Sequence, residues 1–335
     1  MKRTALLVFV LVAGAAVVVA AAIDRRPDPA TETTLPGSTT SATATTATTT
    51  TVVPETTTST VTTLAPGTTV CDAYGEIETA GTVAAPGLVE ASGLATGRVN
   101  PDVLWTHNDS RDGATLYAIG LGGEDRGSYP VRGGIAFDWE DIAAGPGPTP
   151  GRPYLYVGDI GDNFAIREGQ VSVYRLPEPP LGPGANPVFI AEQLVLRYPE
   201  GEALNAEAMF VDPTDAALYI VTRNPEVARV YRADAAVDAA EIQELRLVVS
   251  LPLGDPVTGA DISYDGGVIA LRGERTVWMW HRPPGVSVAD AMSAQPCSAP
   301  SPEERQGEAI AFDATGSYRT LSEGSAQDIH LVSRG

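Results

Sequence analysis

One short pattern returns five times along the chain: an acidic residue followed by a short apolar run. It stands at Glu90-Ala91-Ser92-Gly93-Leu94-Ala95, Glu140-Asp141-Ile142-Ala143 and Glu207-Ala208-Met209-Phe210. It stands again at Asp261-Ile262-Ser263-Tyr264 and Glu308-Ala309-Ile310-Ala311-Phe312. The acids are 50, 67, 54 and 47 positions apart (140−90, 207−140, 261−207, 308−261). A period near fifty, filled with short strand-like runs, marks an all-β propeller, in which each unit is one blade packed on its neighbours.

Within the units, short runs rich in Val, Ile, Leu and Tyr are bounded by Gly, Pro, Asn or Asp, as strands are by turns. The third unit, for example, reads as strands over 207–212, 217–223, 229–233 and 244–251. The fourth ends in a weak run around Cys297, and the fifth yields only three strands before the chain stops. A propeller avoids an open edge when one terminus completes the blade begun by the other. The segment 74–83 is the expected fourth strand of the last blade. Five blades fit best, and six remain open only if the interval 140–207 conceals one. Trp278 and Trp280 alternate within a strand, which suits packing between blades, and Trp105 and Trp139 are read as core in the same way.

Cys71 and Cys297 are the two cysteines, an even pair that suggests a disulfide in an exported chain. They fall on the outer strands of neighbouring blades, so a bridge would staple the ring. Closing a loop of more than two hundred residues is worth roughly 4–5 kcal/mol on loop-closure entropy.

Ahead of this domain, Met1-Lys2-Arg3 precedes an uncharged apolar run over positions 5–23, 19 residues (23−5+1). That length is enough to span a bilayer, and the basic start keeps its own side cytoplasmic. Ala20-Ala21-Ala22 also offers a cleavage site. Segment 1–23 is therefore expected as a single-span signal-anchor helix in the cell membrane or as a cleaved signal peptide. Either way the remainder is outside the cell, membrane-held or secreted. Positions 24–70 are dominated by Thr with Ser, Ala and Pro, which cannot offset the entropy of ordering, so a disordered stalk is expected. The propeller is assigned to 71–335.

The net charge of −20 sits on that domain, because the first 70 residues carry four basic and four acidic side chains. Such a surface repels nucleic acid and anionic lipid, and small cations are its natural complement. A monomer is expected.

The acid opening each unit falls at the start of the innermost strand, so Glu90, Glu140, Glu207, Asp261 and Glu308, with Asp159, are the candidate metal ligands. A second tier falls at the end of the following strand: His107, Asn108 and Asp109, then Asp159, Asp162 and Asn163. Arg223, Asn224, Arg272 and Glu323 complete it as ligand-binding candidates. Antiparallel pairing brings the two tiers together. Five carboxylates around one axis require a hard cation such as Ca²⁺, arginine partners or raised pKa values. A scaffold role, with acids bonding amides of the next blade, weighs as heavily. The extra acids of the second unit, Asp138, Asp141, Asp159 and Asp162, place a site there. There is no Gly-x-Ser-x-Gly elbow, His-Glu-x-x-His or Walker loop. His107, Glu140 and Asp159 are the candidates for moving a proton, with a hydrogen-bonded structural role competing for His107.

The runs Glu-Ala-Ser-Gly-Leu-Ala, Trp-Thr-His-Asn-Asp-Ser, Asp-Trp-Glu-Asp-Ile-Ala, Tyr-Val-Gly-Asp-Ile-Gly-Asp-Asn and Gln-Gly-Glu-Ala-Ile-Ala resemble a group of exported bacterial propeller proteins. That group is similar to phytase-like esterase and lactonase-like propellers. The resemblance implies Ca²⁺ at the channel mouth, held among Glu90, Asn108, Asp109, Glu140, Asp159, Glu207, Asp261 and Glu308. Those relatives commonly have six blades. The expected function is a ligand- or partner-binding propeller stabilised by Ca²⁺. The alternative is a Ca²⁺-dependent hydrolase of a phosphate ester, ester or lactone.

Overall fold

The computed structural model describes residues 67–110, 112–234 and 239–335. The apolar segment 1–23 and the stalk up to 66 lie outside them. Among the described residues no helix is long and apolar enough to cross a membrane.

The chain forms five blades. The first contains β2 (Ala91–Thr96), β3 (Val103–Asn108), β4 (Thr115–Gly120) and β5 (Asp125–Pro130). The second contains β6 (Trp139–Pro146), β7 (Pro153–Asp159), β8 (Gln170–Pro177) and β9 (Glu192–Arg197). The third contains β10 (Ala206–Val211), β11 (Leu218–Thr222), β12 (Ala228–Ala233) and, after the short β13 (Ile242–Glu244), β14 (Arg246–Leu251). The fourth contains β15 (Val257–Ile262), β16 (Val268–Gly273), β17 (Val277–His281) and β18 (Cys297–Ala299). The fifth contains β19 (Gly307–Phe312), β20 (Tyr318–Ser322) and β21 (Asp328–Arg334). Its fourth strand is β1 (Tyr74–Thr82), paired antiparallel with β21 through Ile77↔Val332 and Thr79↔His330. The interval 140–207 holds only the four strands of one blade, so no sixth blade is present.

The expected strand 244–251 divides. β14 stays in the third blade, while β13 crosses over and runs parallel on β9, the edge of the second. Leu245 is the pivot: it is buried, and its N–H donates to the Arg197 carbonyl at 2.7 Å. The crossover satisfies backbone groups that an open edge would leave unpaired.

The inner strands β2, β6, β10, β15 and β19 touch in a closed ring. Between successive blades lie five apolar layers. Trp105 and Trp139 lie between the first and second blades, and Met209 and Tyr231 between the second and third. Trp278 and Trp280 follow, then Phe312 and Tyr318, then Leu94 and Leu321. Both faces of each blade are thus covered, which is why β2 and β3 are buried at every residue instead of alternating. Burial of aromatics of 150–250 Å² each makes these layers the main source of stability.

Cys71 and Cys297 are bridged, with their Cα atoms 6.0 Å apart across 226 positions. The link joins the chain just before β1 to the outer strand of the fourth blade. Beside it Tyr74 packs edge-on against Tyr318 at 5.2 Å, so the seam is closed covalently and by packing. Removing both cysteines by Cys71→Ser/Cys297→Ser should destabilise by about 3–5 kcal/mol, or about 10 °C in Tm at roughly 2–4 °C per kcal/mol. A chain starting at Ala85, without β1, should lose more. Melting either variant like the intact domain would contradict the seam.

Candidate functional site

Every inner strand is irregular at its start. Pairing to the second strand shifts between Ser92 and Ala95, Trp139 and Asp141, Ala206 and Ala208, Val257 and Gly259, and Gly307 and Ala309. A bulge of this kind places two residues opposite one and re-aims the side chain at that point. In three blades the residue so placed is a glutamate: Glu140, Glu207 and Glu308. All three line one cavity of about 80 Å³ at the mouth, together with Glu90, Asp109, Asn163, Arg223 and Glu323. The cavity has room for two or three waters at about 30 Å³ each.

Among the described residues six carboxylates therefore line the cavity with one guanidinium, and that guanidinium is already engaged. Arg223 donates to both oxygens of Glu207, at 2.7 and 2.5 Å, and to Glu274 at 2.8 Å. Asp109, Asp138 and Glu140 each present an oxygen within 4.8 Å of the other two. Glu140 is only 5% exposed, and its carboxylate has no hydrogen-bond or ion-pair partner among the described residues. Asp109 Oδ1 is buried and equally without a donor. Burial, then the neighbouring Asp138 and Glu90, push Asp109 up to about 7. Burial, then Glu207, push Glu308 up to about 8. Glu140 is driven well above the usual carboxylate range by burial and by Glu207 and Asp109. Gly161 makes this crowding possible, because a Cβ there would lie 2.3 Å from Glu140 and 2.4 Å from Asp138.

Other candidates are placed elsewhere. Asp261 does not join the ring: it is buried on β15 and accepts from the Ile262 amide at 2.8 Å and the Phe312 amide at 2.7 Å. The bulge residue of the fourth blade is Thr258, whose hydroxyl donates to the Gly307 carbonyl at 2.7 Å. Asp159 is ion-paired to Arg167 and accepts from the Asp138 amide at 3.0 Å. Asp162 caps its own loop, accepting from Ile166 and Arg167, and Asn224 caps another through Glu226 and Val227. Arg272 is fully buried and bound to Glu304 and Ser301, because the chain 30 residues on folds back over it. Asn108 accepts from the amides of Val89 and Glu90 and so positions Glu90. Glu90 itself accepts from the Ser110 hydroxyl at 3.0 Å.

His107 is sealed. It is fully buried edge-on to Trp139, its Nδ1 3.1 Å from the Asn108 carbonyl, and burial lowers its pKa to about 4. A neutral imidazole without access to the mouth is a packing element. Asn163 accepts from Asn205 and Glu323 from Gln306, both on the cavity wall. Asp138 is the residue that the ring pattern misses, since it precedes the strand. Its signal was the acidic excess of the second unit.

No known protein-family profile matches the chain, and no curated protein matches it. Among solved structures it is similar to the PQQ-bound aldose sugar dehydrogenase of Streptomyces coelicolor, with 13% identity and a TM-score of 0.44. That match covers 78% of this chain and 99% of the other. A streptogramin B lyase matches at 8% identity and a TM-score of 0.42, covering 80% and 100%. The apo soluble aldose sugar dehydrogenase of Escherichia coli matches at 11% and 0.41, covering 78% and 99%. At such identities the likeness concerns fold alone.

The raised carboxylates set a pH dependence. Asp109, Glu140 and Glu308 bind protons in the folded state that they release when unfolded, so folding is favoured at low pH. This contribution is complete near pH 4 and is lost as pH rises through about 7 for Asp109 and about 8 for Glu308. In EDTA the melting temperature should therefore fall from pH 5.5 to pH 8.5. A flat or rising profile would show that the mouth carboxylates are already satisfied.

Proposed function

We propose that the chain is an extracytoplasmic binding propeller whose mouth captures positive charge, with Ca²⁺ as the cation it holds. The observation that carries this is the unpaired, buried Glu140 facing Asp109 and Asp138 with oxygens no more than 4.8 Å apart. Ca²⁺ takes oxygen ligands at 2.3–2.6 Å, so oxygens on opposite sides of one ion stand about that far apart. Glu207 and Glu308 on the same wall and water would supply the remaining ligands. A cation there relieves the repulsion that holds these groups above their usual range. The Cys71–Cys297 bridge supports an oxidising compartment outside the cytoplasm. The basic start and apolar run ahead of the domain support a membrane tether or export signal.

A second reading, Ca²⁺-dependent hydrolysis of a phosphate ester, ester or lactone, is favoured by one feature. Asp109, with a pKa of about 7 and a free oxygen, is suited to move a proton near neutrality, whereas His107 is not. Ca²⁺ would supply charge stabilisation at the scissile group.

A cation that binds only the folded state stabilises it by about 2.7 kcal/mol at a hundredfold excess over Kd. Millimolar Ca²⁺ should raise Tm by several degrees and Mg²⁺ by less, because Mg²⁺ demands a tighter octahedron. Glu140→Gln should reduce the Ca²⁺ effect and should raise Tm in EDTA, since one repelling charge is gone. Superimposed melting curves in EDTA and Ca²⁺ would remove the calcium reading. Turnover of an esterase, lactonase or phosphatase substrate, abolished by EDTA and by Asp109→Asn, would favour the enzyme; its absence leaves the binding module.

A further inference from the structure

Most large apolar side chains of the ring are buried between blades; of the twelve exposed ones among the described residues, four lie on the two loops that flank the mouth, and they include the three most exposed. Ile135 is 65% exposed, Phe137 58%, Phe164 85% and Ile166 60%. They rise from two loops of the second blade, the one entering β6 and the one leaving β7. Phe137 is followed by Asp138 of the acidic cluster, and Phe164 follows Asn163 of the cavity wall. The loops meet where the Arg167 guanidinium lies 4.7 Å over the Phe137 ring. The Phe164 loop is fastened on both sides. Asp162 caps it through the Ile166 and Arg167 amides, and Asn205 of the neighbouring blade accepts from the Asp162 amide at 2.6 Å. An exposed apolar ridge held in place at the rim of a charged cavity is the composition of a docking surface.

We infer that the occupant is an extended segment of another protein, which inserts one Lys or Arg side chain into the cavity and lays its apolar neighbours on the ridge. The inference rests on the mouth taking positive charge and names what brings that charge. Two observations select this partner. First, among the described residues the cavity walls hold one arginine, already bound to Glu207 and Glu274, while buried Glu140 and Asp109 Oδ1 lack partners, so the inserted group is cationic. Its size, about 80 Å³, suits one ammonium or the tip of one guanidinium. Second, a free ion gains nothing from the ridge, whereas residues flanking a lysine do. An anionic membrane is disfavoured by the −20 charge of the chain. Ca²⁺ and the inserted cation would compete for the same oxygens, so calcium should weaken the partner.

The test is calorimetric titration of the full chain in EDTA with acetylated, amidated pentapeptides Gly-Leu-X-Leu-Gly, X being Lys, Arg, norleucine or Glu, up to millimolar. The Lys and Arg peptides should bind at least tenfold tighter than the norleucine peptide, and the Glu peptide should not bind. Phe164→Ser should weaken the Lys peptide at least fivefold with Tm unchanged. Glu140→Gln should weaken the Lys peptide and leave the norleucine peptide alone. Adding millimolar Ca²⁺ should weaken the Lys peptide. Equal binding of Lys and norleucine peptides, no binding of any peptide, or indifference to Phe164→Ser overturns the inference. So does sedimentation with phosphatidylserine vesicles that Phe164→Ser abolishes, which would make the ridge a lipid contact. A Lys peptide that binds in EDTA while Ca²⁺ leaves Tm unmoved defeats the calcium reading alone. A Ca²⁺ response without peptide binding defeats only this inference.

Discussion

The carboxylate of Asp141 lies on the axis of the ring and ties three inner strands together. It accepts from its neighbour Ile142 at 2.8 Å, from Met209 on β10 at 2.7 Å and from Ala260 on β15, two blades away, at 3.2 Å. A ring of five blades leaves so little space at its centre that one side chain reaches across it. An isolated buried carboxylate would cost several kcal/mol, and here three amides share that charge while burial, and after it the nearby Asp261, push its pKa up. Asp261 repeats the arrangement two blades on, joining β15 to the Phe312 amide of the next inner strand, β19. Gly93 belongs to the same close approach: a Cβ at this position, φ +70°, would meet the Ile142 nitrogen at 2.6 Å and the Asp141 Cα at 2.7 Å. The centre of the molecule is thus rich in donors for the acids it contains.

The mouth is the opposite case, although it begins at the adjoining residue. Glu140 and Asp141 are consecutive, and the bulge separates their destinies. Asp141 goes to the axis, where amides await it, and Glu140 goes to a cavity whose one guanidinium among the described residues is held by Glu207. Charge that the fold satisfies at one level it leaves unsatisfied at the next. An unsatisfied cluster persists only if something outside the chain completes it or if the rest of the ring over-stabilises it. The five apolar layers and the disulfide provide that excess, so the mouth is free to be poor in stabilising contacts.

The sequence carried the architecture because blade packing imposes a period on it, and the closing strand and disulfide followed from counting strands and cysteines. It carried four of the five ring acids: Glu140, Glu207 and Glu308, where the bulge falls at one register in each blade, and Glu90, which reaches the same cavity from just ahead of β2. It failed at Asp261, where the acid sits three positions beyond the true register residue Thr258. With Thr258 in place the last two intervals become 51 and 50 (258−207, 308−258), closer to the period than those the acids gave. Arg272 was misplaced because its partner Glu304 lies 32 positions away on a loop with no pattern of its own. Asp159 was misplaced for the same reason, its charge being taken by Arg167 across the β7–β8 loop. The ridge was invisible: nothing distinguishes Phe164 from a core Phe in a string of letters.

The second unit is the long one, 67 positions between acids where the others run near fifty. Its extra residues build no strand of a further blade. They lengthen the loop between β7 and β8, over 160–169, and the loop between β8 and β9, over 178–191. The first of these carries Gly161, which makes room for Glu140 and Asp138, then Asn163 on the cavity wall, then Phe164 and Ile166 on the ridge. Arg167 at its end occupies Asp159, so that acid is withdrawn from the cluster and Asp109, Asp138 and Glu140 are left to face one another. Four blades of near-standard length supply the ring, and the lengthened loops of the second break its symmetry, the first of them at the mouth. Cavity wall and apolar rim meet on that loop because its residues exceed what the packing of the blade requires, and Glu140 and Asp138 face it from β6 and the turn before it.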